Sequence, residues 1–289
     1  LCYAMVRNYR SVLIGRLPVA APVLLCGGVM KNQGVVRALG DILHLKEEEL
    51  VLPDHFEYEQ AAGAAVMADQ SVSLSDLRLA LSRGTAVRKD MIRISKLKAM
   101  EQGIKNRAMG VREMDPVSWQ GEGLLPDSCF LGIDIGSTST NLVVLDQGGR
   151  LIHSQYLRTG GDPAGAVEKG LDHLKQVLGE RLSIKGIGVT GSGREKIGRS
   201  LKAQAIRDEI TAQARAAAFI DQEVDTVFEI GGQDSKYISL DHGYVRDFQM
   251  NKICAAGTGS FIEEQAARMG VPLEEFGPLA LSSLSPLDL

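Results

Sequence analysis

The order of the expected strands and helices predicts an α/β fold, and three observations support this prediction. First, three apolar strand patterns separated by glycine turns follow one another from residue 130. Second, a helix, a strand and a second helical region complete the order of a ribonuclease-H-like domain. Third, the strand pattern restarts at residue 226. The expected strands are residues 130–135, 140–146, 151–157, 185–189, 226–230, 235–240 and 244–250, and the expected helical regions are residues 164–178, 191–220 and 258–269.

The composition restricts the functional classes. The 289 residues are 44% hydrophobic and 24% charged, which is typical of a soluble globular protein. A net charge of -4 without a basic block argues against a nucleic-acid partner. Apolar stretches are far shorter than the ~20 residues that span a bilayer, and the first residues lack a signal-peptide pattern. Four cysteines without a CxxC pair indicate a reducing compartment. We therefore expect a cytoplasmic protein with no membrane partner.

Residues 1–70 form an apolar, glycine-bearing zone. Residues 23–25 are a short buried-strand pattern that runs into a glycine pair, and residues 33–43 follow as a helix. Residues 57–68 have the small side chains of a closely packed helix.

The remaining zones differ in character. Residues 71–127 combine clustered basic residues with chain breakers, and we interpret them as a linker with some helix. Residues 128–224 are expected to form a ribonuclease-H-like subdomain, and residues 225–289 the start of a second one.

The first motif is Asp134-Ile-Gly-Ser-Thr-Ser-Thr140, a strand, an acid and a polar glycine turn leading into a second strand. Glycine lets backbone N–H groups approach a phosphate, and hydroxyls add donors. Asp134 can hold a hydrated Mg²⁺ ion and is a candidate catalytic residue. A P-loop would need GxxxxGK[ST] before a helix, which is absent. The alternative is a plain glycine hairpin. The candidate phosphate contacts are Gly136, Ser137, Thr138 and Ser139.

The second motif, Glu229-Ile-Gly-Gly-Gln-Asp-Ser-Lys236, repeats this design about 95 residues later. Two such hairpins, each opening a similar strand cycle, suggest a duplicated fold that clamps a nucleotide between its halves. Asp234 is a second candidate catalytic residue, which would orient the attacking water or the metal. The candidate nucleotide contacts are Gly231, Gly232, Gln233 and Lys236.

The third motif is Asn251-Lys-Ile-Cys-Ala-Ala-Gly-Thr-Gly-Ser-Phe261. A glycine turn before a helix can approach phosphate, which makes Gly257, Thr258 and Gly259 candidate contacts. The nearby helix N-terminus and Lys252 favour the Cys254 thiolate, the metal-binding form. The alternative for a lone cysteine is a small buried hydrophobe.

These motifs resemble the BadF/BadG/BcrA/BcrD ATPase family, the activators of 2-hydroxyacyl-CoA dehydratases and ATPase subunits of benzoyl-CoA reductases. Sugar kinases and Hsp70-type chaperones share the two hairpins but lack the Gly-Gly-Gln-Asp-Ser-Lys and Cys-Ala-Ala-Gly-Thr-Gly strings. The resemblance implies an actin/Hsp70/acetate-and-sugar-kinase fold, incomplete in this chain. The matching segments are residues 132–140, 188–194, 228–238 and 251–261.

The resemblance also implies a mechanism and partners. ATP with Mg²⁺ would drive a conformational change that lets a [4Fe-4S] cluster pass a low-potential electron to a dehydratase or reductase. The cluster would bridge two subunits or modules, with Cys254 as one ligand. Its electron donor would be a ferredoxin or flavodoxin.

Residues 1–70 resemble the opposite end of the same family. Cys26-Gly-Gly-Val-Met-Lys-Asn-Gln-Gly-Val-Val36 is similar to its adenosine motif, with Gly27, Gly28 and Asn32 as candidate contacts. The end of one module thus precedes the beginning of another along this chain, and this order resembles a piece of a tandem activase. We therefore expect this adenosine motif to belong to the preceding module, and the isolated chain to be a poor ATPase.

Two departures from the family leave alternatives open. The second cluster cysteine has no counterpart here, and Cys2, Cys26 and Cys129 are interpreted as structural. Gln213 stands where the family usually has histidine. A sugar or carboxylate kinase, or a non-catalytic nucleotide-binding regulatory module, therefore stay as alternative functions.

Overall fold

The computed structural model describes residues 1–68, 73–85, 128–179, 182–251 and 257–282. Its strands form two five-stranded sheets. The strands are β1 Val23–Cys26, β2 Leu50–Val51, β3 Cys129–Ile135, β4 Ser139–Asp146, β5 Leu151–Arg158, β6 Ile184–Thr190, β7 Ala205–Ile206, β8 Thr226–Ile230, β9 Ser235–Asp241 and β10 Tyr244–Met250. The helices are α1 Cys2–Tyr9, α2 Gln33–Leu43, α3 Glu59–Val66, α4 Leu74–Thr85, α5 Pro163–Leu178, α6 Arg194–Leu201, α7 Glu209–Ile220, α8 Gly259–Met269 and α9 Leu273–Leu281.

The first lobe is built on a sheet of order β5-β4-β3-β6-β7. Its first three strands pair antiparallel, and β6 and β7 extend the sheet in parallel. Apolar side chains alternate along β4, so that Leu142 and Val144 face α5 while Val143 and Leu145 face α3. This is the predicted ribonuclease-H-like order, and the α/β fold class is confirmed.

The second lobe repeats the arrangement with strands from both ends of the chain. Its sheet has the order β10-β9-β8-β1-β2, in which β8 pairs antiparallel with β9 and parallel with β1. Val23 lies opposite Thr226, and Cys26 opposite Glu229. The N-terminal segment thus supplies the fourth and fifth strands of the second sheet.

Two helices cross between the lobes. α3 follows the second-lobe strand β2 but packs on the first sheet, and α7 follows the first-lobe strand β7 but packs on the second sheet. Their contact depends on missing side chains, because a Cβ at Gly63 would lie 1.9 Å from the Ala212 carbonyl oxygen. The N-terminal segment is therefore anchored to both lobes.

The expected linker begins later than predicted. α4 lies within it, and Leu74, Leu77 and Leu81 are buried in the core of the first lobe. Arg78 of α4 also forms an ion pair with Asp172 of α5 at 2.8 Å. The basic composition concealed a leucine stripe at helical spacing, which explains the error. The rest of the expected linker lies outside the described residues.

Most other expected elements are found within one or two residues. The expected helical region 191–220 is interrupted by β7, which is only two residues long. None of the described helices combines the length and apolarity needed to cross a bilayer.

Candidate functional site

The two predicted hairpin turns face each other across the cleft between the lobes. We call residues 136–139 the first turn and residues 231–234 the second turn. Ser137 Oγ lies 3.5 Å from Gln233 Oε1, although 96 positions separate the two residues. Each turn is closed in the same way: Gly136 N–H donates to the Ser139 carbonyl at 2.8 Å, and Gly231 N–H donates to the Asp234 carbonyl at 2.9 Å.

A polar side chain that directly follows a strand supports each turn: Thr159 follows β5 and Asn251 follows β10. Thr159 Oγ1 donates to the Gly136 carbonyl at 2.9 Å. Asn251 Nδ2 donates to the Gln233 carbonyl at 3.2 Å, and Asn251 Oδ1 accepts the Ser235 N–H at 2.9 Å. The backbone of both turns is thus held in place before any ligand binds.

Two glycines, one directly after β6 and one directly after β1, lie at a third side of the cleft. Gly191 and Gly27 have φ values of +87° and +90°. A Cβ on Gly191 would lie 2.5 Å from the Ile135 carbonyl oxygen, and one on Gly27 would lie 2.5 Å from the Ile230 carbonyl oxygen. The adenosine-type turn that begins with Gly27 and Gly28 therefore packs against the strand that carries the second turn. The adenosine-type turn, which we expect to belong to a preceding module, thus lies on the same sheet as the second turn.

The glycine turn before α8 contacts the second turn directly. Gly259 N–H donates to the Gly231 carbonyl at 2.9 Å, and Ser260 N–H donates to the Gly232 carbonyl at 2.9 Å. The N–H groups of Gly231 and Gly259 are therefore hydrogen-bonded within the protein, and both residues shape the backbone of the site. Gly257 lies beside α1.

Two further candidate contacts have different surroundings. Asn32 Oδ1 accepts the N–H groups of Gly34 and Val35, so its amide oxygen caps α2. Thr258 is fully buried, and its Oγ1 has no hydrogen-bond partner within the described part of the chain.

Three carboxyl groups and one ammonium group lie beneath the two turns. Asp134 ends β3, Glu229 lies on β8, Lys236 on β9 and Glu209 at the start of α7. Burial and the nearby Glu209 carboxylate raise the pKa of Asp134 to about 7, although Lys236 opposes the shift. Burial likewise raises the pKa of Glu229, again against the effect of Lys236. The cluster has an excess of negative charge.

Lys236, a predicted nucleotide contact, lies buried between two carboxylates. Only 3% of its side chain is exposed, and its Nζ lies 2.6 Å from Glu229 Oε2 and 3.0 Å from Glu209 Oε2. Burial alone would lower its pKa, but these two carboxylates raise it above its usual range. The Lys236 ammonium is thus paired on both sides by carboxylates of the protein.

Glu209 was missed by the sequence analysis. It is the first residue of α7, after Asp208, whose carboxylate accepts the Thr211 N–H at 2.9 Å as the helix cap. About 25% of the Glu209 side chain is exposed. The sequence carried a signal for Glu209, because this acid directly follows a helix cap and a short apolar strand. Glu209 lies in the same segment as Gln213, the one residue of that segment that the sequence analysis singled out.

The cluster fits a divalent cation. Two positive elementary charges would balance three carboxylates and one ammonium. Among the described residues, no group of three or more His, Cys, Asp or Glu side chains could hold a metal directly. Asp234 is exposed at the second turn.

Cys254, the predicted cluster ligand, lies outside the described residues, as does Lys252. The described residues on either side are attached near the second turn, through Asn251 before it and Gly259 after it. Cys2, Cys26 and Cys129 are all buried.

Gln213 lies within the contact between the two lobes. It is fully buried on α7, and its Nε2 donates to Cys26 Sγ of β1. Its Oε1 has no partner in the part of the chain that is described.

Comparisons with known proteins agree with these features. The model of the BadF/BadG/BcrA/BcrD ATPase family matches residues 131–286. The 2-hydroxyisocaproyl-CoA dehydratase activator of Clostridioides difficile is 34% identical over 55% of this chain and 59% of its own length. The (R)-2-hydroxyglutaryl-CoA dehydratase activating ATPase of Acidaminococcus fermentans is 31% identical over 53% of this chain and 58% of its own length.

A solved structure is also similar. The Clostridium difficile activator with bound ADPNP has a TM-score of 0.45 and 33% sequence identity, over 55% of this chain and 59% of that chain. The chain spans about six tenths of the length of these activators.

Proposed function

Because the chain belongs to the BadF/BadG/BcrA/BcrD ATPase family, we propose that it binds ATP between the two turns and that the full-length protein is a dehydratase activator. There, ATP hydrolysis would be coupled to electron transfer from a [4Fe-4S] cluster to a 2-hydroxyacyl-CoA dehydratase or a related reductase. The family match and the relatives named as dehydratase activators support this proposal.

The observation that carries the nucleotide site is the opposition of the two turns. Ser137 and Gln233 lie 3.5 Å apart on different lobes, and Gly27 packs against the strand of the second turn. The phosphates bind between the turns, with donors from the hydroxyls of Ser137 and Thr138 and from the backbone. The adenosine moiety binds along the Gly27-Gly28 turn.

The reaction is attack of water on the γ-phosphorus, with ADP as the leaving group. Glu209 accepts the proton from water, because it is a partly exposed carboxylate at the edge of the acid cluster. Asp134 would hold a Mg²⁺ ion through a water molecule, and Asp234 orients the attacking water from the second lobe. Mg²⁺ supplies charge neutralisation to the phosphates.

Coupling to the partner depends on the angle between the lobes. A nucleotide that contacts both turns favours one lobe arrangement over another through differential contacts. Cys254 is three residues after Asn251, whose side chain supports the second turn. In this proposal Cys254 holds the [4Fe-4S] cluster, which supplies the low-potential electron, with a ferredoxin or flavodoxin as donor and a second subunit or module as partner.

The test uses the full-length protein under anaerobic conditions. We expect ATP hydrolysis that Asp134→Asn lowers at least about a hundredfold and that the matched first-lobe control Asp172→Asn leaves unchanged. Hydrolysis that depends on an added acceptor would indicate a kinase instead. Tight binding without turnover would indicate a regulatory module.

The cluster is tested separately by absorption and electron paramagnetic resonance after iron and sulfide reconstitution. Cys254→Ser should abolish the cluster signal, whereas Cys2→Ser should keep it, since serine can still donate to Asn32 Oδ1. A cluster that survives Cys254→Ser would refute this assignment.

The 289-residue chain provides a second test. We expect it to bind ADP, because the structure joins the adenosine-type turn to the same sheet as the second turn. Calorimetric titration with MgADP measures this directly.

A further inference from the structure

We propose that Lys236 is a positioning residue that holds the Glu209 carboxylate at the edge of the nucleotide cleft by bridging it to Glu229. This proposal rests on the proposed ATPase function and assigns Lys236 a role in hydrolysis, not in nucleotide contact.

The geometry of the bridge is specific. Lys236 and Glu229 lie directly opposite each other on β9 and β8, which fixes the ammonium over the second sheet. Its Nζ is 2.6 Å from Glu229 Oε2 and 3.0 Å from Glu209 Oε2. The backbone is held as well, because the Tyr9 hydroxyl donates to the Lys236 carbonyl at 2.9 Å. The ammonium group therefore has little freedom to turn toward a ligand.

The exposure of the three side chains decides which of them acts in the cleft. Lys236 is 3% exposed and Glu229 8% exposed, whereas Glu209 is 25% exposed. The bridge thus has a buried end that anchors it and an accessible end that can meet a water molecule. A proton acceptor must be held in place, and the ammonium group does this for Glu209 at 3.0 Å.

The bridge also joins parts of the chain that belong to different lobes. Glu209 begins α7, directly after the first-lobe strand β7, while Lys236 belongs to the second-lobe sheet. A change in the angle between the lobes therefore changes the position of Glu209 relative to Asp134. The Lys236–Glu209 contact, together with the packing of α7 on the second sheet, therefore links hydrolysis to the lobe arrangement.

Removing Lys236 alone would leave two carboxylates in a buried place without their cation, which can unfold the protein. The experiment therefore starts from the Glu229→Gln background, in which one of these charges is already absent. The variants are E229Q, K236M/E229Q and K236R/E229Q in the full chain. Single-turnover hydrolysis gives kcat, and a fluorescent ADP analogue gives the nucleotide Kd.

Relative to E229Q, we expect K236M/E229Q to lower kcat at least about tenfold, as part of the 10²–10⁴ that a positioned base contributes. The Kd for ADP should change less than about threefold, and K236R/E229Q should recover part of kcat because it keeps the cation. An unchanged kcat would overturn the proposal. So would a large loss of ADP affinity, which would make Lys236 a nucleotide contact.

A second measurement does not depend on activity. Melting temperatures of K236M, E209Q and K236M/E209Q, each introduced in the Glu229→Gln background, form a double-mutant cycle. If the bridge exists, the double variant should lose less melting temperature than the two single variants together. An additive loss would overturn the bridge. If the wild-type protein hydrolyses no ATP, the proposed function and the catalytic role of Lys236 both fail, and the cycle still decides the bridge.

Discussion

Gly188→Ala tests whether the N-terminal segment is docked on the first lobe. Gly188 lies in β6, opposite Gly132 of β3, under the helix α3. A Cβ there would lie 1.6 Å from the Ala64 carbonyl oxygen and 2.0 Å from the carbonyl carbon, so α3 would have to move by at least ~1.4 Å to reach a tolerable 3.0 Å. β6 is held between β3 and β7, so the helix is the element that moves. Fully buried Ala61 and Ala64 would then lose contact with the sheet.

The expected cost is at the upper end of overpacking effects, about 3 kcal/mol. For a protein of this size that lowers the melting temperature by about 6–12 °C, measured by circular dichroism. The matched control is Gly40→Ala in α2, where the new Cβ meets its nearest neighbour, Leu50 Cδ1, at 3.5 Å. This control should be neutral or stabilising by up to about 1 kcal/mol. If Gly188→Ala melted within about 2 °C of the wild-type protein, α3 would not be packed on β6.

Three further predictions concern buried groups. Folding raises the pKa of Asp134 from 3.8 to about 7, so its protonated form stabilises the protein, fully below pH 4 and progressively less as the pH rises to 7. This group should lower the free energy of unfolding by at most about 4 kcal/mol over this pH range. Urea titrations at several pH values should show that Asp134→Asn lacks this pH-dependent decrease. The assignment would be refuted if the free energy of unfolding changed equally with pH in the variant and the wild-type protein. Leu77→Ala should lower the free energy of unfolding by about 3 kcal/mol because Leu77 is fully buried in the first lobe. The control Leu79→Ala, at a position 49% exposed, should lower it by less than about 1 kcal/mol. Equal melting temperatures of the two variants would show that α4 is not packed in the core of the first lobe. Gln213→Met removes a buried Oε1 that has no partner among the described residues, so the melting temperature should stay the same or rise, and a large drop would show that this oxygen is satisfied.

The local elements were predictable because each has its own pattern. Alternating apolar residues and glycine turns define the strands of both hairpins, and α2 has the predicted bounds of residues 33–43. β2 and β7 were missed, because two residues cannot carry a periodic pattern. α4 was assigned to a linker because its basic residues obscured the leucine stripe.

The candidate site was only partly predictable for a different reason. An acid–glycine hairpin identifies itself by composition, so Asp134 and both turns could be named from the sequence. The partners of Lys236 could not be named, because Glu229 and Glu209 reach it through sheet pairing and helix placement. Glu209 was missed for the same reason.

The sequence by itself determined the family, the two hairpins and the first-lobe strand order, because these depend on short patterns that a chain carries locally. Only the tertiary structure decided that β1 pairs with β8, some two hundred residues away, and that α3 crosses onto the first sheet. The physical reason is that pairing between distant strands depends on shape and burial in three dimensions. Gly27, Gly63, Gly132 and Gly188 show this most directly, since each is required by a backbone that approaches from a distant part of the chain.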